Sequence, residues 1–183
     1  YFYRNSIPTV GFTDIALDGD DLYAVGGDQL LRFDVSLAAD PNLIETLSNT
    51  EKNHAIVAKD EVVYLSQGSG VRIYHRERNR DLRDIGIITR EQLGGIASRL
   101  VIDHQTLWAL VPAAKQVIGI ELMSGEYQIV KRVNLVDGAG YAISSSDILV
   151  RGNLMLVSTA EQGTVELFDT LTEGGAHLAN LKL

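Results

Sequence analysis

The sequence predicts an all-β fold, a β-propeller arc built of four four-stranded antiparallel repeats, and three observations predict it. First, the apolar phrases Leu22-Tyr23-Ala24-Val25, Val63-Tyr64-Leu65, Leu107-Trp108-Ala109-Leu110 and Leu154-Met155-Leu156-Val157 start 41, 44 and 47 residues apart. Second, each is followed, 12 to 15 residues after its start, by another apolar strand that carries a polar residue: Asp34, His75, Glu121 and Asp169. Third, no segment sustains apolar residues at helical spacing for three turns. A self-similar period of this size with strand chemistry throughout is the signature of propeller blades.

The first blade spans about residues 13–50. Thr13 to Leu17 alternates polar and apolar residues, Asp18-Gly19-Asp20-Asp21 supplies a turn, and Leu22 to Val25 forms the next strand. Gly26-Gly27-Asp28 turns the chain again, since adjacent glycines tolerate the positive φ of tight hairpins. Leu31, Phe33 and Val35 then share one face, and after Ala39-Asp40-Pro41-Asn42 a fourth strand runs from Leu43 to Leu47. The second blade, about 53–89, repeats that order with His54 to Ala58, Val62 to Ser66, Val71 to His75 and Asp84 to Thr89. In the third, about 98–135, the strands are Arg99 to Ile102, Thr106 to Val111, Val117 to Leu122 and Gln128 to Leu135, with Ser124-Gly125 at the last turn. The fourth, about 145–183, has Ser146 to Val150, Asn153 to Ser158, Thr164 to Asp169 and His177 to Leu183. Between blades two and three, Arg90 to Ile96 is the one candidate helix, short and interrupted by Gly94-Gly95.

Composition fits a globular domain, with 45% hydrophobic and 22% charged residues in 183. Sixteen basic residues against 24 acidic ones, net −8, argue against nucleic acid or an anionic membrane surface, which are bound mainly through Lys and Arg. No apolar run reaches the ~18 residues of a membrane span. The absence of cysteine removes disulfides, thiolate metal sites and cysteine nucleophiles. The first residue is Tyr1 rather than Met, which suggests a processed chain or a fragment.

Asp14-Ile15-Ala16-Leu17-Asp18-Gly19, Leu31-Arg32-Phe33-Asp34-Val35-Ser36 and Asp40-Pro41-Asn42-Leu43-Ile44 resemble the LVIVD repeat of bacterial and archaeal surface or secreted propellers. Gly70 to Tyr74 and Gly163 to Asp169 keep its shape, but His75-Arg76-Glu77 replaces the Asp-Val-Ser ending and blade three diverges most. Quinoprotein-like and YVTN-like propellers are the nearest alternatives. The resemblance implies an extracellular or cell-surface location. Residues 1–12, with Ser6-Ile7-Pro8-Thr9-Val10-Gly11, resemble the outer strand of a preceding blade. The four blades are therefore expected to be an arc of a propeller of six to eight, the alternative being a closed four-bladed ring.

Equivalence in four blades makes Asp34, His75, Glu121 and Asp169 the candidate ligand-binding ring, against the architectural reading in which each caps its own strand. Asp18, Asp20 and Asp21 around Gly19 could suggest a calcium loop, but the full ligand spacing is missing and Asp-Gly is a common hairpin turn. Arg72, Arg76, Arg78, Arg80 and Arg83 could clasp a carboxylate or polyanionic glycan, yet Glu77, Asp81 and Asp84 are interleaved with them. His54, His75, His104 and His177 lack metal-ligand spacing, and Ser144-Ser145-Ser146-Asp147 lacks a nucleophile elbow. Trp108 is expected between blades.

No catalytic, cofactor-binding or metal residue is identified, and the cofactor is left unknown. The expected function is that of a non-enzymatic interaction or scaffold domain of a larger prokaryotic surface protein. Its expected partner is a protein, a glycan or the remaining blades of the same parent. The competing class is a propeller enzyme, a metal-dependent hydrolase or quinoprotein-type dehydrogenase with its site at the channel mouth.

Overall fold

The computed structural model describes residues 11–37, 40–77, 81–123 and 126–182, the side chains of 123 and 126 excepted. The opening segment through Val10, Ala39, Arg78, Arg80, the Ser124-Gly125 turn and Leu183 lie outside them. Sixteen described strands form four antiparallel sheets, each in simple meander order. The first contains β1 (Asp14–Asp18), β2 (Asp21–Gly26), β3 (Gln29–Asp34) and β4 (Asn42–Ser48). The second contains β5 (Ala55–Lys59), β6 (Val62–Gln67), β7 (Gly70–Arg76) and β8 (Leu82–Thr89). β9 (Arg99–Asp103), β10 (Thr106–Val111), β11 (Gln116–Met123) and β12 (Glu126–Asn134) make the third. β13 (Asp147–Arg151), β14 (Leu154–Thr159), β15 (Thr164–Asp169) and β16 (Ala176–Lys182) make the fourth. No helix of the described residues is long and apolar enough to cross a membrane.

The expected helix between blades two and three is a single turn, α1 (Arg90–Leu93). Thr89 Oγ1 accepts from Gln92 N and Gln92 Oε1 accepts from Thr89 N, a reciprocal capping box, and Gly94 ends the turn at φ 81°.

The first hairpin of every blade turns the same way. Gly19, Asp60, His104 and Gly152, each the first residue after the innermost strand, have φ between 52° and 60°. In blade two Glu61 is also left-handed (φ 66°), so both central residues carry the positive φ of a type I′ hairpin. Each blade also carries one bulge between its third and fourth strands, at Arg32/Phe33, Ile73/Tyr74, Gly119/Ile120 and Leu167/Phe168. In all four the bulge falls just before the repeated polar residue, bending the outer strand at the same height.

The sheets follow one another through their first strands, β1 against β5, β5 against β9 and β9 against β13, and do not close into a ring. Within each innermost strand alternate residues serve two neighbours. Ala16, Val57 and Val101 pack toward the following blade, whereas Ile56, Ala58, Leu100, Ile102, Ile148 and Val150 pack toward the preceding one. Three cores result. Tyr23, Val25, Val63 and Leu65 lie between blades one and two, Tyr64, Leu100, Leu107 and Ile118 between two and three, and Trp108, Val133, Met155 and Phe168 between three and four. Each fully buried aliphatic or aromatic side chain adds about 1.5–3 kcal/mol to these junctions.

The register shifts one sequence-based alignment. Asp34 pairs with Asp21, His75 with Val62, Glu121 with Thr106 and Asp169 with Leu154. The equivalents of Leu22, Val63 and Leu107 therefore end in Met155, one residue later than the phrase beginning at Leu154. A one-residue shift exchanges the faces of a strand, and Met155 and Val157, not Leu154 and Leu156, enter the core.

Candidate functional site

The junctions are fastened by a repeated polar contact at the end of each innermost strand. Asp18 Oδ2 accepts from Glu61 N at 2.9 Å, the Lys59 ammonium donates to the His104 carbonyl, and Asp103 Oδ2 accepts from Gly152 N at 2.8 Å. In each case the last residue of one blade's first strand holds the first turn of the next blade. The left-handed turn residues present their backbone groups to it. Asp14 Oδ2 adds a bond to Ile56 N at 2.9 Å, and Arg99 pairs with Asp147 at 3.5 Å.

Arg151 occupies the corresponding position in blade four and is exposed, with no hydrogen bond or ion pair among the described residues. Beside it the following face of that blade is apolar and open. Leu149, Leu156 and Leu167 are cross-strand partners in one row, with Leu154 next to them. Leu156 stands where Tyr23, Tyr64 and Trp108 fill the three internal junctions. At the other end of the arc, Ile15 and Leu17 point away from blade two and are 62% exposed, matching Leu149 at 59%. Behind them Ala24, Leu31 and Phe33 are buried. Among the described residues, the exposed apolar side chains Ile15 and Leu17 of β1 and Leu149 and Leu154 of blade four have no neighbouring blade.

The four repeated polar residues sit at equivalent ends of the third strands, two strands out from the innermost ones. Asp34 Oδ1 accepts from Ser36 N at 2.9 Å, and hydrogen bonding from Ser36 lowers its pKa below the ordinary carboxylate value. Asp169 accepts from Leu171 N and Thr172 Oγ1, both at 2.9 Å, and is lowered by those bonds in the same order. No hydrogen bond or ion pair among the described residues joins any two of Asp34, His75, Glu121 and Asp169.

Two buried polar groups go unrecognised in the sequence, where Asp21, Arg76 and His177 are weighed in other roles. Between blades one and two, Asp21 receives Arg32 Nε at 2.8 Å and an Arg76 terminal nitrogen at 2.5 Å, and Arg76 also reaches Glu61 at 3.6 Å. Burial, with the Asp21 carboxylate adding to it, pushes the adjacent Tyr23 phenol up to about 12. Glu45, which accepts from Leu82 N, is likewise raised by burial. In blade four, Glu166 accepts from His177 Nε2 and from Thr164 Oγ1, each at 2.7 Å, and Thr164 Oγ1 lies 2.8 Å from Thr159 Oγ1. His177 packs edge-on against Phe168 with ring centroids 5.4 Å apart. The bulge at Leu167/Phe168 sets that pairing, and a bulge leaves no mark in alternation.

The described members of the arginine run, Arg72, Arg76 and Arg83, are paired internally. Arg72 pairs with Asp84 at 2.5 Å, Arg83 with Glu77 at 3.7 Å, and Arg76 crosses to blade one. An open cavity of about 670 Å³ lies against blade two, lined by Glu51, Lys52, Ser69, Thr89, Arg90 and Glu91 among others. Glu51 Oε2 is already bonded there to Ser69 N at 2.6 Å. Among the described residues no group of three or more His, Cys, Asp or Glu is placed to hold a metal ion.

No family model and no curated relative matches the chain. Solved structures do. A protein from Lactobacillus plantarum aligns with TM-score 0.75 at 11% identity, over 93% of this chain and 55% of its own. A 6-phosphogluconolactonase candidate of Bacteroides fragilis aligns with TM-score 0.70 at 10% identity, over 92% of this chain and 56% of its own. The computationally designed protein Ika4 aligns with TM-score 0.60 at 12% identity, over 88% of this chain and 92% of its own. The chain spans about half the length of the first two, and likenesses at such identities establish the propeller-type fold alone.

Proposed function

We propose that this chain is a non-enzymatic interaction and scaffold module, a propeller arc within a larger prokaryotic surface or secreted protein. The observation that carries this reading is the set of exposed apolar side chains at the end blades, Ile15 and Leu17 at one end and Leu149 and Leu154, beside half-buried Leu156, at the other. Such faces are covered by polypeptide at all three internal junctions, and uncovered sheet surface invites association. The LVIVD-like repeat of blade one, whose shape Gly163 to Asp169 keep in blade four, supports the surface location, and a protein or glycan partner, or further blades of the parent, fits the role.

The test is site-specific photo-cross-linking from position 149 in the source organism, with the trapped species identified by mass spectrometry. A defined polypeptide cross-linked at that face is the expected result. Absence of any such adduct, together with turnover of 6-phosphogluconolactone or of a dye-linked substrate by the purified chain, would overturn the scaffold reading.

A further inference from the structure

We propose that the cavity against blade two binds a sugar carboxylate, the uronate unit of an acidic saccharide. The site uses neither end face of the arc, because blade two has a described blade on each side.

Three connections meet at this cavity, and each is pinned. Glu51 and Lys52 belong to the link between β4 and β5, Gly68 and Ser69 to the turn between β6 and β7, and Arg90 and Glu91 to α1. Asn53, fully buried, fixes the first link. Its Nδ2 donates to the Gln29 carbonyl at 2.9 Å, and its Oδ1 accepts from Asn49 Nδ2 at 3.1 Å and from Gln67 Nε2 at 2.9 Å. Gln67 Oε1 in turn accepts from Arg72 Nε at 3.1 Å, so one side-chain network holds the first link and the turn together. Arg90 N donates to the Ser69 carbonyl at 2.8 Å, and the capping box at Thr89 holds the third connection. Groups carried on walls fixed in this way lose little freedom when a ligand arrives.

The lining selects the ligand. Lys52 and Arg90 are exposed, and neither side chain has a hydrogen bond or ion pair among the described residues. A carboxylate suits both, the guanidinium as a fork and the ammonium as a point charge. Glu51 engages Oε2 with Ser69 N at 2.6 Å and interacts with Arg72, which leaves Oε1 to accept from a neutral hydroxyl. Ser69 Oγ is buried without a hydrogen-bond partner among the described residues. Such a group is costly until a partner reaches it. An acceptor and a hydroxyl beside two cations match the carboxylate and ring hydroxyls of a uronate. With Glu91 at the rim, two carboxylates face two cations across the lining, which favours a singly charged ligand over a polyphosphate or a sulfated polyanion. The volume of about 670 Å³ lies within the range of small-molecule sites, about 300–1,000 Å³.

Amide NMR titration of the purified chain, followed at Ser69 and Arg90, tests the site. The probes are D-glucuronate and a galacturonate tetramer, with glucose, acetate and inorganic phosphate as comparisons. Saturable binding of glucuronate is expected, with glucose and acetate each at least about tenfold weaker because each offers only part of the contacts. Lys52→Ala and Arg90→Ala should each weaken glucuronate by about tenfold, Ser69→Ala by less, and Arg151→Ala, in blade four, should leave it unchanged. Both cations are exposed side chains, and urea midpoints on each variant separate lost binding from lost folding. Tighter binding of the tetramer assigns the site to a glycan chain, and equal affinity assigns it to the free sugar acid. The proposal is overturned by the absence of saturable binding for either uronate, by acetate or phosphate binding as well as glucuronate, or by indifference to both Lys52→Ala and Arg90→Ala. None of these results touches the scaffold reading, which stands or falls on the cross-link from position 149.

Discussion

The indole of Trp108 lies over Gly119, its cross-strand partner, so closely that a Cβ at position 119 would meet the ring at 3.0 Å. Trp108 fills the junction between blades three and four, and the missing side chain on β11 makes room for it. On the other side that same Cβ would meet Lys131 Cβ at 3.2 Å. Gly119→Ala should therefore destabilise the protein by about 1–3 kcal/mol through overpacking. Urea unfolding would show it, and the smaller Trp108→Leu should reduce the penalty of Gly119→Ala when the two are combined. Additive losses would contradict the packing account.

The contacts between inner strands and turns predict a local loss. Asp103→Ala removes the acceptor for Gly152 N and should cost about 0.5–1.5 kcal/mol, the net value of one hydrogen bond. Its signature is faster amide exchange at Gly152, with the equivalent Glu61 amide unchanged. Asp18→Ala should do the reverse, accelerating Glu61 and leaving Gly152 protected. Uniform acceleration at both amides would mean that the contacts are not independent fasteners.

Much of this architecture was legible because period-2 alternation and Gly- or Asp-rich turns are local signals. Leu22-Tyr23-Ala24-Val25 and Gly26-Gly27 specify a strand and a turn without any partner. The register of β14 was less legible, since Leu154, Met155, Leu156 and Val157 are all apolar and either alternate set could face the core. Pairing of Leu154 with Asp169 decides it. The bulges and the bond from Asp103 to Gly152 involve residues 49 apart or a backbone irregularity, and neither has a sequence pattern. The same holds for Glu166 and His177, which read as ordinary polar residues of two outer strands.

Alkaline titration should separate the buried phenols from the rest. Burial, with a smaller contribution from nearby Asp21 and Asp60 respectively, raises Tyr23 and Tyr64 to about 12. A folded pKa above the unfolded value of about 10 means that their contribution to stability is complete below pH 10 and is lost as pH rises through 12. Absorbance at the phenolate band should therefore show Tyr23 and Tyr64, of the seven tyrosines, resisting ionisation until near pH 12 or until unfolding, with Tyr74, also raised by burial, ionising above the ordinary phenol range. Tyr23→Phe should raise the midpoint of alkaline unfolding. Seven phenols titrating together near pH 10 in folded protein would contradict the burial.

At acid pH the turn after β15 should loosen. Asp169 has its pKa lowered by bonds from Leu171 N and Thr172 Oγ1, so its contribution is present above the unfolded carboxylate value and disappears as pH falls through the lowered folded one. Amide exchange at Leu171, corrected for the intrinsic pH dependence, should lose protection in that acid range, and Asp169→Asn should remove the pH dependence. Asp34 and Ser36 should behave alike in blade one, since Asp34 Oδ1 holds Ser36 N at 2.9 Å.

The Glu166–His177 pair should be a costly polar contact to break on one side only. Glu166 is buried at 4% exposure and His177 partly so at 13%, and Glu166 is the acceptor that joins His177 to the Thr164–Thr159 hydroxyl chain. His177→Ala leaves Glu166 with Thr164 Oγ1 as its remaining side-chain donor and should cost about 1–3 kcal/mol, the cost of a buried acceptor deprived of a partner. Glu166→Gln should cost less, because its one amide oxygen can still accept from His177 Nε2 while the amide nitrogen, in place of Oε1, donates to the Thr164 hydroxyl oxygen. Changing both to apolar residues, Glu166→Leu with His177→Phe, should recover much of the single-mutant loss, since no uncompensated charge then remains. A double-mutant cycle by chemical denaturation measures the coupling, and additivity of the two single losses would show that the 2.7 Å contact contributes nothing of its own.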